Sequence, residues 1–237
     1  MALPRVNETL NFTMKIPSTG KTVKYRPYLV KEEKILLQAF ESQDTKTCLQ
    51  AMCDTIEMCL DVKENLDVKE LATFDIEYMF TQLRAKSVGE TSEILIKCKE
   101  CQEPNEVEVE LDKLVVEVNE VRNIIVINED ISVELRYPTY KSLLNGDIES
   151  STEDPTAIMN LLASSLVAVL TEHERIDCDS QSSKEVEEFL ESMTASQLKL
   201  VSSFFEDMPT LKHDAVFDCK KCSAHNELKL EGLSDFF

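Results

Sequence analysis

The chain is poor in several residue types, and each shortage excludes something. Its 237 residues hold no tryptophan, four glycines and three histidines. So few glycines leave no G-x-G-x-x-G, no P-loop and no G-x-S-x-G, and so no glycine-built cradle for phosphate and no nucleophile elbow. His173, His213 and His225 form no H-x-x-x-H or H-E-x-x-H pattern, which removes the helix-borne zinc hydrolases. Positive charge is scarce as well: 25 Lys and Arg face 45 Asp and Glu, for a net charge of −20. Such a balance repels a phosphate backbone, so bulk nucleic-acid binding is not expected. No apolar run approaches the length of a membrane helix, and residues 1–22 contain no apolar stretch of the signal-peptide kind, so neither membrane nor secretion is expected. Carboxylates are plentiful, but Glu106/Glu108/Glu110 and Glu185/Glu187/Glu188 read as solvated faces. No cysteine has a nearby partner that would make it a nucleophile. The expectation is a protein that is not an enzyme.

What is present is enough apolar residue for a core, at 43%, and eight cysteines that suit a reducing cytosol. Four of them stand in two C-x-x-C pairs, Cys98/Cys101 and Cys219/Cys222. Each pair follows an apolar run, Ile94-Leu95-Ile96 or Ala215-Val216-Phe217. Each leads into alternating residues, Val107-Glu108-Val109-Glu110-Leu111 or Leu228-Lys229-Leu230. The pattern predicts strand, knuckle, strand, twice over. One pair supplies two thiolates and a structural zinc takes four ligands. The simplest completion is one zinc held by Cys98, Cys101, Cys219 and Cys222. Disulfides within each pair are the alternative and would suit a thiol oxidoreductase, but that motif opens a helix in a βαβ context and these flanks are strand-like. His225, three residues after Cys222, is an available substitute ligand. Four thiolates around Zn²⁺ carry a formal charge of −2, which Lys97, Lys99, Lys220 and Lys221 are placed to offset. A shell filled by four thiolates has no open position for water, so the zinc reads as structural. Cys48, Cys53, Cys59 and Cys178 lie in or just after expected helices and read as core or surface residues.

The rest of the chain shows one order of elements used twice. Leu10–Ile16 and Thr22–Tyr25 flank the turn residues 17–20 and predict a hairpin. Helices are expected through Ile35 and Phe40, over Asp44–Cys59 and over Phe74–Arg84, with a short segment at Val68–Leu71. After the first knuckle a hairpin is expected again, Ile124–Ile127 and Ile131–Leu135 around Asn128-Glu129-Asp130. Arg136-Tyr137-Pro138-Thr139-Tyr140 then echoes Tyr25-Arg26-Pro27-Tyr28. A helix follows near Lys141–Leu144, and a strongly apolar one runs from Pro155 through Leu166, Val169 and Leu170. Glu172–Ser183 reads as a polar loop, and Lys184–Leu190 and Ala195–Glu206 as helices before the second knuckle. The expected fold is α+β, with two similar halves (hairpin, helices, zinc-knuckle hairpin) joined by a shared four-cysteine zinc-ribbon-like site. Residues 1–119 form the first repeat and 120–237 the second, together in one compact unit. The interval Pro138–Cys219 is longer than Pro27–Cys98, and the excess is assigned to the Glu172–Ser183 loop.

Two stretches carry a resemblance. Pro17-Ser18-Thr19-Gly20-Lys21 through Lys24-Tyr25-Arg26-Pro27-Tyr28-Leu29-Val30-Lys31-Glu32-Glu33-Lys34 is one. Phe74-Asp75-Ile76-Glu77-Tyr78-Met79-Phe80 through Arg84-Ala85-Lys86-Ser87-Val88-Gly89-Glu90 is the other. Together they resemble the baseplate hub proteins of T4-like contractile-tailed bacteriophages, the group of hub subunits and hub-assembly proteins. The resemblance is most specific over Pro17–Leu111 and rests mainly on element order beyond it. It implies a structural or assembly role in the central hub of the baseplate. It also implies hub or tail proteins as partners, and residence in the host cytoplasm during assembly or in the virion baseplate. It carries over no catalytic residue.

Within those stretches core packing explains Tyr25, Leu29, Tyr78 and Leu83. It does not explain the charges, since Lys and Arg are rarely buried unpaired. Arg26, Tyr28, Lys31, Arg84, Lys86 and Glu90 therefore stand as a partner-binding patch facing an acidic partner; in the other reading the charges pair with Glu32, Glu33 or Asp75 and brace the first half. Residues 1–34 hold seven Lys/Arg and three acids, the one clearly basic region. The competing function is a zinc-ribbon regulator that binds nucleic acid or the host transcription or translation machinery; the net charge counts against it.

Overall fold

The computed structural model describes residues 12–64, 66–118, 123–145 and 155–232. Residues 10 and 11 of the expected first strand lie outside them. Two compact units form: Met1–Val68 with Phe74–Val118 and Pro209–Phe237, and Lys69–Thr73 with Asn119–Met208.

The first unit begins with hairpin β1 (Phe12–Lys15) and β2 (Thr22–Tyr25), paired from Phe12↔Tyr25 to Lys15↔Thr22. Gly20, at φ +68°, makes the turn in a conformation that favours glycine and donates to the Ile16 carbonyl at 2.8 Å. Alternation buries Met14, Ile16, Val23 and Tyr25. Helix α1 (Val30–Glu41) and helix α2 (Thr45–Cys59) follow. Asp44 starts α2 by accepting the Thr47 N–H at 2.8 Å. Helix α3 (Thr73–Ser87) is buried almost all round, through Phe74, Ile76, Met79, Phe80, Leu83 and Ala85. Its polar positions are therefore satisfied locally: the Thr81 hydroxyl donates to the Glu77 carbonyl at 2.8 Å. Asp75, fully buried in the first turn of α3, accepts the Ser18 N–H at 2.9 Å and the Ser18 hydroxyl at 2.5 Å. The hairpin turn is thus clamped to the positive end of the helix.

Strands β3 (Thr91–Lys97) and β4 (Pro104–Glu110) form the first knuckle hairpin. Strands β9 (Lys212–Asp218) and β10 (His225–Glu231) form the second. Ile96, Val107, Val109, Ala215 and Leu230 share one core with Ala85 of α3. Burying each of the larger ones is worth about 1.5–3 kcal/mol.

The second unit holds β5 (Ile124–Val126), β6 (Ile131–Leu135), α4 (Tyr140–Asn145), α5 (Pro155–Ser165), β7 (Leu166–Thr171), β8 (Arg175–Asp177), α6 (Ser183–Glu191) and α7 (Ala195–Glu206). Its strands make a four-stranded antiparallel sheet in the order β5-β6-β7-β8. Two expectations are corrected here. The apolar helix stops at Ser165, because Leu166–Thr171 becomes a central strand between β6 and β8; an apolar run fits a buried strand as well as a buried helix. Glu172–Ser183 is not simply a loop: it holds β8 and a short 3₁₀ turn at Cys178–Ser180. Helices α6 and α7 each begin with a capping box, Ser182/Glu185 and Thr194/Gln197. Val133, Leu135, Leu162, Leu190, Val201 and Phe204 form the core.

The compact units cut across the expected division at 119/120, since the second knuckle hairpin clusters with the first unit. A local correspondence is nevertheless present. After β2 the Arg26 N–H donates to Cys59, the last residue of α2, at 3.0 Å, and its guanidinium donates to the Met58 carbonyl at 3.0 Å. After β6 the Arg136 N–H donates to Ser165, the last residue of α5, at 2.8 Å, and its guanidinium donates to the Ser164 carbonyl at 3.3 Å.

The Asp75 clamp yields a test. Asp75→Ala removes two hydrogen bonds to a buried carboxylate, and should lower unfolding free energy by about 1.5–3 kcal/mol, read as a fall in the urea midpoint.

Candidate metal centre

Each knuckle is a tight turn between paired strands. In the first, the Cys98 N–H donates to the Glu103 carbonyl at 2.9 Å and the Gln102 N–H to the Cys98 carbonyl at 3.0 Å. In the second, the Cys219 N–H donates to Ala224 and the Ser223 N–H to Cys219, both at 2.9 Å. The residue after the second cysteine is left-handed in both, Gln102 at φ 59° and Ser223 at φ 56°. That conformation is uncommon without glycine.

The two pairs meet. All four Sγ atoms lie within 4.8 Å of one another. Cys98 and Cys222 are 3.7 Å apart, and Cys101 and Cys219 3.6 Å. These separations far exceed a disulfide bond of about 2.0 Å. They match the edge of about 3.8 Å in a tetrahedron of thiolates around a zinc at about 2.3 Å. Cys98 and Cys219 are buried, Cys101 is half-buried and Cys222 is exposed. The N–H groups of Cys222 and Lys221 point at Cys219 and pull its thiol down to about 6; the N–H of Cys101 leads the groups that lower Cys98. The donor set fits a soft divalent metal.

Three of the flanking lysines engage the opposite knuckle. Lys220 pairs with Glu106 at 3.0 Å and Lys221 with Glu103 at 2.7 Å, both from one knuckle to the other. The Lys99 ammonium donates to the Glu227 carbonyl at 2.5 Å. Exposed pairs of this kind are worth about 0–1 kcal/mol each. His225 is engaged with Asp218 at 2.9 Å and Glu227 at 3.5 Å, away from the four-cysteine set.

A family model described as T4 bacteriophage base plate protein matches residues 8–237. The chain belongs to that family. No curated protein and no solved structure matches it. For this baseplate protein, membership supports a structural or assembly role in the phage tail baseplate. No helix among the described residues is long and apolar enough to cross a membrane.

The remaining site candidates of the baseplate protein are placed as follows. Arg26 pairs with Glu32 at 2.9 Å and donates to the Pro27 carbonyl at 2.9 Å. Glu32 also accepts the Leu29 N–H at 2.8 Å and faces Lys31 at 3.2 Å. Tyr28 is buried, and its N–H donates to the Ser87 hydroxyl at 2.9 Å. Arg84 is half-buried near Tyr28, and burial lowers its pKa. Lys86 pairs with Glu90 and lies over the Phe12 ring at 5.9 Å. Arg26 and Glu32 thus brace α1 against the end of α2. Among the six, Lys31 projects furthest, with 66% of its side chain exposed. Of the other cysteines, Cys53, Cys59 and Cys178 are buried and Cys48 is half-buried. Burial pushes the Cys59 thiol up to about 11.

Two residues of the centre escaped the sequence reading, Asn105 and Asn226. Their signal was present: each stands four residues after the second cysteine of its knuckle.

The buried Glu32 carboxylate makes stability depend on pH. Burial pushes its pKa up, but Arg26, the Leu29 N–H and Lys31 together outweigh that and hold it below the ordinary 4.5. A depressed folded pKa adds stability above the unfolded value, and that stability is lost as pH falls through the folded one. Glu32→Gln should cost about 1.5–3 kcal/mol at neutral pH, with the gap to wild type closing in acid; urea midpoints across pH check it.

Proposed function

We propose that the chain is a non-enzymatic structural or assembly protein of the baseplate hub, held by one structural zinc on Cys98, Cys101, Cys219 and Cys222. The observation that carries the metal is the closure of two incomplete half-sites into one four-thiolate cluster. The family match over 8–237 supports the baseplate; the hub is suggested by the segments Pro17–Lys34 and Phe74–Glu90. Zinc bound by four thiolates would supply cohesion rather than reactivity, because no ligand position is left for water. Its binding energy is on the order of 10 kcal/mol, expressed largely as folding energy. Purified protein should contain one zinc per chain by elemental analysis. Cys98→Ser should abolish it and lower the melting temperature to that of the chelator-treated wild type. Two metals per chain, or none in protein prepared without chelator, would reject this reading.

The same proposal takes residues 1–119 and 120–237 as an internal duplication. Support comes from the matched knuckles and from the matched seats of Arg26 on α2 and Arg136 on α5. The protein would act on other hub or tail proteins, in the host cytoplasm during assembly and in the virion baseplate.

For the partner surface we take Lys31 and Lys86 as the charges of the six-residue patch that meet an acidic hub partner, with Glu90 pairing Lys86 and with Arg26, Tyr28 and Arg84 as its less exposed members. Lys31→Gln with Lys86→Gln should lower the melting temperature only slightly, as loss of partly exposed pairs does, and leave zinc content unchanged, while cutting tail assembly at least about tenfold in a complementation assay. Normal assembly by the folded double variant would reject the patch.

A further inference from the structure

Asn105 and Asn226 are each 1% exposed, and each reaches out of its own knuckle into the other. The Asn105 carbonyl oxygen accepts the Lys220 N–H at 2.9 Å; the Asn226 carbonyl oxygen accepts the Lys99 N–H at 2.9 Å. The Asn105 amide donates to Cys219 Sγ at 3.7 Å and to its own knuckle's Glu103 carbonyl at 2.8 Å. The Asn226 amide donates to Cys98 Sγ at 3.6 Å and to its own knuckle's Ala224 carbonyl at 2.8 Å. The orientation of each amide is forced. Its oxygen must face a backbone donor, so both N–H groups are left for a carbonyl and a sulfur. A flipped amide would set oxygen against both.

We infer that Asn105 and Asn226 are positioning residues for the metal, each presetting the first thiolate of the opposite knuckle so that the four-sulfur site forms as one unit. This rests on the zinc reading. Two independent C-x-x-C turns would leave the dihedral relation of their sulfur pairs unspecified. Here each amide ties the turn that carries one pair to the sulfur of the other, twice and reciprocally. The N–H···S bonds also disperse the −2 charge of the loaded site, the role that outer partners play at metal centres generally. Neither asparagine is a ligand: the sulfurs hold the metal, and the amides hold the sulfurs.

Aspartate separates the two duties. Asn226→Asp keeps an oxygen for the Lys99 N–H but replaces the donor facing Cys98 with a carboxylate oxygen; Asn105→Asp does the same at Cys219. The full-length chain is loaded with Zn²⁺ and titrated with a competing chelator, then loaded with Co²⁺ and its thiolate charge-transfer band recorded. Each single variant should bind zinc about 10–100-fold more weakly and shift the cobalt band. Its urea midpoint in excess chelator should fall by less than its midpoint with zinc bound, because the lost bond to the knuckle's own carbonyl weakens both states alike. Asn226→Ser, neutral and smaller, repeats the readouts should the aspartate variants fail to fold. Unchanged affinity and an unchanged cobalt band in folded variants would overturn the inference. So would a stability loss of equal size with and without metal, which marks a purely structural amide. Wild-type protein that binds neither zinc nor cobalt overturns the zinc reading itself, a result visible before any variant is made.

Discussion

Four thiols within 4.8 Å of one another set a condition that the surrounding structure has to meet. Ionised, they repel; neutral, they are weak donors with little to hold them together. A soft cation would resolve the conflict, and the hairpins bring the four sulfurs close enough to hold one. The apolar side of the same hairpins, Ile96, Val107, Ala215 and Leu230, closes over a shared core. Packing and ligation therefore favour the same approach of two segments far apart in sequence. The entropy of closing so long a loop rises only slowly with its length, so one metal would be a sufficient fastener.

The other polar feature that organises the first unit is a set of buried charges tying loops to helix ends. Asp75 holds the β1–β2 turn against the start of α3, and Arg26 with Glu32 fixes α1 to the end of α2. These residues fall in the two stretches that carry the family resemblance. The charges in those stretches thus have a mechanical reason to be there: a desolvated ion is tolerated only when its partners are in place.

Much of this was legible in the chain. The cysteine spacing with its strand-like flanks located both knuckles and their union, because four-fold coordination demands it. Alternation found β1, β2, β4 and β10, short apolar runs found β3 and β9, and periodicity found α2, α3, α6 and α7. Leu166–Thr171 was misread because an all-apolar run looks the same in a buried helix and a buried strand; only β6 and β8 on either side decide it. β8, at Arg175–Asp177, was missed because a three-residue edge strand of polar composition has no period to detect. Asn105 and Asn226 were overlooked because their matched spacing after the second cysteine does not say what an amide bonds to; its partners lie across the fold. The division into compact units likewise depends on which hairpin pairs with which core, a long-range fact.

The separation of the two knuckles has a consequence in time. Cys101 and Cys219 are 118 residues apart. At a synthesis rate of about 5–20 residues per second, the first knuckle is made roughly 6–24 s before the second. Through that interval Cys98 and Cys101 have no opposite pair, and the apolar face of β3 and β4 has no β9 and β10 to cover it. The first unit is therefore completed only after the whole second unit has been synthesised. A ribosome that stalls within residues 119–208 leaves a chain whose first unit lacks its last two strands and two of its four knuckle sulfurs.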